Sequence, residues 1–510
     1  MLSKEALNEI EQWRRQTVSP QQQLDRRWLE RYRELASYDG HWWLGHAGPF
    51  SEQEQQQWDQ LSASPTDEHT RDHLSQLLVQ SRERELATAL AEQREPHLSY
   101  PAIDIADVRR RLTAFQYLDE EIAEEEPHPL VRHLYHGAIE EELDFLHLIE
   151  ACYEGDTAAF WRYNCHLDPV PTVQEMERAL TCLKQIVAHG LRTQTTREVS
   201  NHILHILHTQ FTLSLDLSAD TASEQEIQQP ARTHSPGCRV TAQTAQRFLE
   251  AVLHECGYEG WRVTIDSNAL NARVEQGLRC VFLADEAISI ERMRHILAHE
   301  LAGHVARCVA GSHSPIGLLG INTYHALPTE EGFALYYERQ AAALVGEPFN
   351  DWGTWVGAMT IGLASGVVTP PQTFRSLMPF LEALHLLHRL LEGLDDTIQQ
   401  AQKRARNQAL ARCLRTFRGV PNLETAGICY SKDIVYLRGL SLVEQAAKED
   451  PTILERLAVG VISLRLLPDL QELKLIPLPP LVRKLAYDPE LESRILSFEL
   501  PEEEDQHLQH

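Results

Sequence analysis

Residues 299–338 restrict what this chain can fold into more than any other part of the sequence. They read HELAGHVARCVAGSHSPIGLLGINTYHALPTEEGFALYYE, with two histidines at the start and two adjacent glutamates, Glu330 and Glu331, further on. Two imidazoles and one carboxylate are the protein ligands of zinc sites that leave a fourth position open. A chain that uses His299, His304 and one of these glutamates in this way must bring two separate helices together around one ion.

The spacing of the two histidines predicts an irregular helix. His299 and His304 are five residues apart, whereas the common zinc-peptidase helix has its histidines four apart on one face. Five steps of about 100° leave two side chains roughly 140° apart on a regular α-helix, which is too wide for one ion. A π-type turn, which is frequent at functional sites, would realign them. We therefore predict a widened turn between the histidines, accommodated at Gly303.

Glu300 is the candidate general base, because it follows His299 directly and a carboxylate there can deprotonate a zinc-bound water. Only one of the two later glutamates is expected to bind the ion, since neighbours in a helix point about 100° apart. Other histidine pairs at helical spacing lack an adjacent base and a distant acidic ligand, and we interpret them as structural. They are His295 with His299, the HILHILH run at 202–208, and His385 with His388.

These motifs resemble the tyrosine carboxypeptidase-like family of zinc metallopeptidases, which is also known by a QEGLA motif and as "flavohaemoglobin expression-modulating". The family's HExxxH appears as HELAGH at 299–304, and its (T)QEGLA appears as TEEGFA at 329–334. The glycine that follows the family's ligand matches Gly332, so the resemblance selects Glu331 as the third zinc ligand. The resemblance extends over roughly residues 97–490, through LSYPAIDIADVRRRL at 98–112, PVPT at 169–172, FRG at 417–419 and SKDIVYLRG at 431–439.

The resemblance implies a zinc carboxypeptidase that removes the last residue, an aromatic one by analogy, from a peptide or protein C-terminus. A terminal carboxylate needs a cation close to the metal. Arg418 and Lys432 lie in the two late motifs and are our candidates for this role. A hydrogen-bond donor for the developing oxyanion is also expected. The candidates, among which the sequence does not choose, are Tyr336, Tyr337, Tyr430 and Tyr436.

Two other functions stay open from the sequence. An endopeptidase that matures a dedicated peptide would share the ligands and the base, but no cation would close the primed side of its cleft. A non-catalytic regulatory or binding protein could hold zinc for structure alone. The presence of Glu300 disfavours this second alternative, since a purely structural site needs no base.

Charge and composition limit the partners. The formal net charge of −27 argues against a general nucleic-acid binder. It would also repel acidic polypeptides, so the acidic tubulin tails that a family member trims are a poor candidate substrate. No run of 18 apolar residues predicts a spanning helix, and the N-terminus lacks the apolar core of a signal peptide. Nine dispersed cysteines are typical of reduced thiols. We therefore predict a cytoplasmic protein that binds neither nucleic acid nor membrane.

The expected fold class is α+β, predominantly helical, with a zincin-like catalytic core and a helical N-terminal region. Strand-like runs at 261–267 and 279–285 predict a small sheet before the metal-binding helix, which we place at 290–310 after Ser289 as N-cap. Pro328 and Thr329 open the next helix. The domains expected are a tryptophan-containing extension at 1–95, a helical region with a polar linker at 97–237, a metallopeptidase region at 239–495 and an acidic tail at 496–510.

Overall fold

The computed structural model describes residues 4–38, 40–45, 51, 53–54, 56–57, 68–100, 103–217, 238–266, 272–347, 349–395 and 397–498. Most of the predicted polar linker and nearly all of the acidic tail lie outside these residues, as does Trp58. Among the described residues, none of the helices has the length and apolar character that a membrane crossing requires.

Helices dominate the described chain, as predicted from the sequence. The N-terminal half contains α1 Lys4–Gln16, α2 Arg26–Ala36, α3 Gly40–Gly45, α4 Glu68–Glu92, α5 Ile105–Glu125, α6 Pro129–Glu154, α7 Thr157–Leu167, α8 Val173–Arg192, α9 Gln194–Thr209 and α10 Ala242–Glu255. The C-terminal half contains α11 Ile290–His295, α12 Ala306–Ser312, α13 Leu327–Val345, α14 Trp352–Ser365, α15 Phe374–Glu392, α16 Ile398–Phe417, α17 Ile434–Glu449, α18 Ile453–Leu457, α19 Leu481–Ala486 and α20 Leu491–Leu496. Short 3₁₀ turns lie at Pro20–Gln22, Gly317–Gly320 and Leu464–Leu466.

Two small sheets precede the helix that carries HELAGH. They are built from β1 Arg239–Val240, β2 Arg262–Asp266, β3 Arg273–Glu275, β4 Cys280–Ala284 and β5 Ile288–Ser289. The three-stranded sheet has the order β2-β4-β3, with β2 and β4 parallel and β3 antiparallel to β4, while β1 and β5 pair antiparallel. β2 and β4 confirm the two strands predicted from the sequence. The fold is therefore α+β and predominantly helical.

A continuous helix at 290–312, which we call the HELAGH helix, follows β5 directly. It consists of α11, a π-helical segment Ile296–Val305, and α12. Ser289 caps it as predicted, since its hydroxyl oxygen accepts the Arg292 N–H at 3.1 Å. The helix ends at Ser312, two residues later than expected, and α13 begins at Leu327, one residue before the predicted Pro328.

The N-terminal tryptophans dock short helices onto the rest of the chain, as their apolar surface predicts. Trp13, Trp28 and Trp43 are all buried. The Trp13 indole N–H donates to the Ile476 carbonyl at 3.2 Å, and the Trp28 indole N–H donates to Glu126 at 2.6 Å. Buried apolar residues from α1 through α20 belong to one continuous hydrophobic core. The proposed division into domains stays a prediction.

Candidate metal centre

His299, His304 and Glu331 converge in the structure. Their ligand atoms all lie within 4.8 Å of one another. The Nε2 atoms of His299 and His304 are 3.7 Å and 3.8 Å from Oε2 of Glu331. Ligand atoms about 2.1 Å from a tetrahedral zinc ion are about 3.4 Å apart, so a small contraction would suffice. The donor set of two nitrogens and one oxygen, and its size, fit zinc.

The π-helical segment explains how histidines five residues apart share one face. The segment covers both residues, and their ring centroids are 5.0 Å apart. The predicted widened turn is therefore confirmed. Gly303 lies within the segment, but its φ is not positive. The glycine serves close packing instead, because a Cβ there would lie 2.6 Å from the Cβ of Ala334.

One helix, α13, supplies both the proposed ligand Glu331 and the carboxylates that orient the two histidines. Nδ1 of His299 lies 3.1 Å from Oε2 of Glu338, and Nδ1 of His304 lies 3.0 Å from Oε1 of Glu330. An ionised carboxylate can only accept a hydrogen bond, so each Nδ1 carries a hydrogen. The two Nε2 atoms are left to bind an ion.

Glu330 therefore orients His304 and is not the third ligand. Its Oε1 also accepts a hydrogen bond from Nε2 of Gln276 at 3.0 Å, directly after edge strand β3. The small sheet is in this way tied to the histidine it precedes in sequence.

Sequence reasoning missed Glu338. It lies seven residues after Glu331, which is about two helical turns, so the two carboxylates share a face of α13. Glu338 also accepts from Nδ1 of His295 at 2.7 Å. His295 thus supports an orienting carboxylate and stands outside the converging trio. The spacing of four residues between His295 and His299 indicated that the two lie on one face of a helix. It did not identify Glu338 as the acceptor that they share.

The carboxylates of the centre are largely shielded from water, so nearby positive charge is needed to stabilise their ionised forms. Burial lowers the pKa of His299, but the hydrogen bond to Glu338 and the charge of Glu300 outweigh this effect and raise the pKa to about 9. Burial raises the pKa of Glu338, but the hydrogen bonds from His295 and His299 lower it to about 2. Burial raises the pKa of Glu331. Protons on the histidines or a bound cation can supply the compensating charge.

Glu300 is a free acceptor beside this centre. Its side chain is half-buried, and its charge acts on His299, Glu331 and Tyr436. Within the described part of the chain, its carboxylate takes part in no hydrogen bond or ion pair. A base that is near the ligands and has no other partner can accept a proton from a reacting group.

Arg418 and Lys432 act on each other electrostatically, and Lys432 is the one on which Glu331 also acts. The Arg418 guanidinium lies over the Tyr430 ring, 4.7 Å from its centroid, and its buried Nε has no hydrogen-bond partner. Burial and then the charge of Arg418 lower the pKa of Lys432, while Asp168 and Glu331 act in the opposite direction. Lys432 therefore lies within electrostatic reach of the proposed ligand. Among the described residues, neither cationic side chain forms an ion pair.

The acidic groups near these cations do not neutralise them fully. Asp433 is occupied by Arg415 and Arg412, whose guanidinium groups donate to it at 2.6–2.8 Å. Burial raises the pKa of Asp168 to about 6, although the charges of Lys432 and Arg438 oppose this shift, and Asp168 forms no ion pair with Arg418 or Lys432 among the described residues. Arg418 and Lys432 are therefore two half-buried cations without ion-pair partners among the described residues, and an anion could bind to them.

The candidate tyrosines occupy different places. The pKa of Tyr436 is raised by the charge of Glu331 first and by burial second, and Glu300 contributes as well, so this phenol faces the centre. Tyr430 supports Arg418 through its ring. Tyr336 has the Arg339 guanidinium 5.7 Å from its ring centroid.

The hydroxyl of Tyr337 is engaged by Arg483, and its placement as a substrate-binding residue stays a prediction. Its hydroxyl accepts a hydrogen bond from Arg483 at 2.9 Å, and its other charged neighbours are Arg307 and Glu455. The direction of this side chain follows from helical phase. Tyr337 lies six residues after Glu331 on α13, which turns its side chain to another face.

Residues 396–500 match the family model described as microtubule-associated tyrosine carboxypeptidase. This match supports the resemblance to the tyrosine carboxypeptidase-like family. No curated protein matches the chain.

The match to the tyrosine carboxypeptidase-like family covers α16 and α17 and the turns around them. It contains Arg418, Tyr430, Lys432 and Tyr436, whereas the two histidines and Glu331 lie before it. The part of the chain with the family match therefore supplies Lys432 and Tyr436, on which the charge of Glu331 acts.

Proposed function

We propose that this protein is a zinc-dependent carboxypeptidase that hydrolyses the last peptide bond of a peptide or protein. The observation that carries the proposal is the convergence of three possible ligands close to a cation that has no ion-pair partner. His299, His304 and Glu331 converge, the charge of Glu331 acts on Lys432, and neither Lys432 nor Arg418 forms an ion pair among the described residues. The match to a family that includes a carboxypeptidase supports the same reaction class.

Zinc is the proposed cofactor, and His299, His304 and Glu331 would hold it. When bound, it supplies Lewis acidity that polarises a carbonyl and acidifies water. Glu338 and Glu330 keep the Nδ1 atoms of the histidines engaged, so that both imidazoles present Nε2. Such supporting carboxylates fix the tautomer and orientation of ligating histidines.

Glu300 is the proposed base. It accepts a proton from the attacking water and passes it to the nitrogen of the leaving amine, so that the peptide C–N bond breaks and no net proton is lost. Its lack of another partner among the described side chains supports this role. The same observation disfavours a purely regulatory zinc protein, because a structural site has no use for a carboxylate base without a partner.

Tyr436 is the proposed donor to the carbonyl oxygen as negative charge develops there. Among the candidate tyrosines, it is the one whose pKa is raised by the charges of both Glu331 and Glu300. A positioned donor of this kind stabilises charge that forms in the transition state. Tyr430 has a different role, since its ring holds the guanidinium of Arg418 in place.

Arg418 and Lys432 are proposed to bind the terminal carboxylate of the substrate. A half-buried cation without a partner is costly, and a carboxylate ligand would compensate it. This pair favours an exopeptidase over an endopeptidase, which would have to leave the same charges unpaired. An aromatic residue at the substrate's end stays a prediction from the resemblance.

The experiment is a digestion of a peptide library by the full chain, read by mass spectrometry, with and without a chelator. We expect loss of single C-terminal residues, abolished by the chelator and restored by zinc. Glu300→Gln should keep zinc and fold but lose hydrolysis by several orders of magnitude. Internal cleavage would replace the proposal by an endopeptidase. Hydrolysis that persists in Glu300→Gln would remove this residue from the mechanism.

A further inference from the structure

The N-terminal residues contact the loop that joins the two helices of the proposed metal centre. This loop, residues 313–326, runs from the end of the HELAGH helix to the start of α13. Residues 17–29, which we call the strap, lie along its first half. All three proposed ligands are on the two helices that this loop connects, so its position affects their separation.

Hydrogen bonds hold the strap to the loop. Gln23 is buried, and its side-chain amide bridges two carbonyls at the end of the HELAGH helix. The bonds are from Val18 N–H to His313 O (2.9 Å), from Leu24 N–H to Pro315 O (2.9 Å), and from Gln23 Nε2 to Ser312 O (2.8 Å) and Ser314 O (3.2 Å).

Asp25 is the central contact of the strap. Its side chain is 0% exposed, and its oxygens accept the N–H groups of Gly317 at 2.8 Å and of Leu318 at 2.9 Å. The Tyr135 hydroxyl donates to it at 3.0 Å. A buried carboxylate is costly unless it is hydrogen-bonded. Asp25 therefore loses two of its hydrogen bonds, those from Gly317 and Leu318, if strap and loop separate.

The fit between strap and loop leaves no space for a side chain at Gly317. A Cβ there would lie 2.5 Å from Cδ2 of Leu29 and 2.6 Å from Oε1 of Gln23. Both neighbours belong to the strap. Even the methyl group of an alanine at this position would have to displace the strap.

The loop in turn lies directly on the end of the HELAGH helix. A Cβ on Gly311 would lie 2.1 Å from the carbonyl oxygen of Leu319, and a Cβ on Gly320 would lie 2.5 Å from the backbone nitrogen of Ser312. Backbones in such close contact move together. A displaced loop would therefore shift the helix that carries the two histidines.

We propose that Asp25 and the strap position the metal centre, and that zinc binding depends on them. This inference rests on the proposed function for the identity of the ion. It assigns to the N-terminal extension a task beyond general stability. By linkage, zinc bound between the helices should stabilise the docked strap to the same extent that the docked strap favours zinc.

The test compares the zinc affinity of the full chain with that of Asp25→Asn, by competition with a chelator where circular dichroism shows both folded. The amide oxygen can accept from only one of the two backbone donors, and its NH₂ faces the other. We expect zinc to dissociate about tenfold more readily or worse, as when a supporting group of a metal site is lost. Glu30→Gln, an exposed change of equal charge on α2, is the control.

Gly317→Ala tests the same contact from the loop. It should weaken zinc binding as Asp25→Asn does, while Gly353→Ala, at a position with nothing within 4 Å, should not. A folded Asp25→Asn chain that binds zinc as the wild type does would overturn the inference and leave the proposed function standing. A wild-type chain that binds no zinc would overturn both.

Hydrogen exchange keeps the inference testable if the variants do not fold. In the wild-type chain, zinc should slow exchange of the Gly317 and Leu318 amides, which donate to Asp25. Slowing confined to the HELAGH helix and α13, with no effect on these two amides, would show that strap and metal are independent and would refute the positioning role.

Discussion

Gly332 and Gly439 bring the backbones of α13 and α17 into direct contact. A Cβ on Gly332 would lie 2.1 Å from the carbonyl carbon and oxygen of Gly439, and a Cβ on Gly439 would lie 1.9 Å from the carbonyl oxygen of Pro328. Neither position has space for any side chain. This contact sets the first turn of α17, with Tyr436, beside Glu331, and it explains why a glycine follows the proposed ligand.

Gly439→Ala should therefore damage both stability and activity. Forcing a methyl group into a packed contact typically costs about 1–3 kcal/mol, and more where backbone must move. We expect a lower free energy of unfolding in urea, and loss of hydrolysis because Tyr436 and Lys432 move away from the centre. Gly353→Ala, in open space, is the control. Wild-type stability in Gly439→Ala would contradict the close contact.

Glu338→Gln should weaken zinc binding. Its carboxylate holds Nδ1 of His299, and loss of such a support typically costs about 10–100-fold in metal affinity. His304→Ala should lose most of the zinc, whereas His295→Ala, which removes only the second partner of Glu338, should keep it. Zinc content and competition with a chelator measure all three. Greater loss in His295→Ala than in His304→Ala would refute the ligand assignment.

The sequence predicted the local features of the centre but not its supports. The five-residue spacing predicted the π-type turn, and Ser289 and the two apolar runs predicted the cap and strands, because these depend on neighbours in sequence. The role of Glu338 depends on how α13 docks against the HELAGH helix, which a single sequence does not contain. Helical phase could have separated the directions of Tyr337 and Glu331, since six residues is not a whole number of turns.

The contacts of the strap could not be predicted either. Asp25 in the sequence is an ordinary acidic residue before a helix. Its function as a buried acceptor for Gly317 and Leu318 requires two segments nearly three hundred residues apart to meet. The tryptophans of the extension favour docking because of their large apolar surface, but they do not identify the surface to which the extension docks.

Tyr436→Phe should lower kcat while zinc content and fold are unchanged. Removing one donor to a developing oxyanion costs about 10²–10³ in kcat. Tyr337→Phe is the matched control, since its hydroxyl contacts Arg483 instead. Steady-state hydrolysis of one peptide by both variants makes the comparison. Equal rates for Tyr436→Phe and wild type would remove this phenol from the mechanism.

His385 should make the fold sensitive to acid. It is buried and both its ring nitrogens lack partners, and burial together with Arg412 lowers its pKa to about 3. An unfolded histidine titrates near 6.5, so between these values the unfolded state binds more protons and stability falls as pH falls. At pH 5 the loss is about 2 kcal/mol.

The His385→Gln variant should lack this contribution. Urea unfolding at pH 7 and pH 5 should show a smaller fall in stability than in the wild type. His202→Gln, at an exposed position on α9, is the control and should fall as the wild type does. Identical pH dependence in His385→Gln and wild type would show that the buried imidazole is not the acid-sensitive group.

Arg418 and Lys432 are the residues proposed to bind the terminal carboxylate of the substrate. Both are half-buried and lack ion-pair partners among the described residues, and the charge of Glu331 acts on Lys432. A free carboxylate bound between them would be paired in a partly desolvated place, so truncation of either should cost roughly 2–5 kcal/mol of transition-state binding. We expect kcat/KM for free-acid peptides to fall accordingly in Arg418→Ala and Lys432→Ala. C-terminally amidated peptides, already poor substrates, should be affected far less, because they never formed the pair. Equal cleavage of acid and amide by the wild type would mean that no cation reads the terminus, and would favour the endopeptidase.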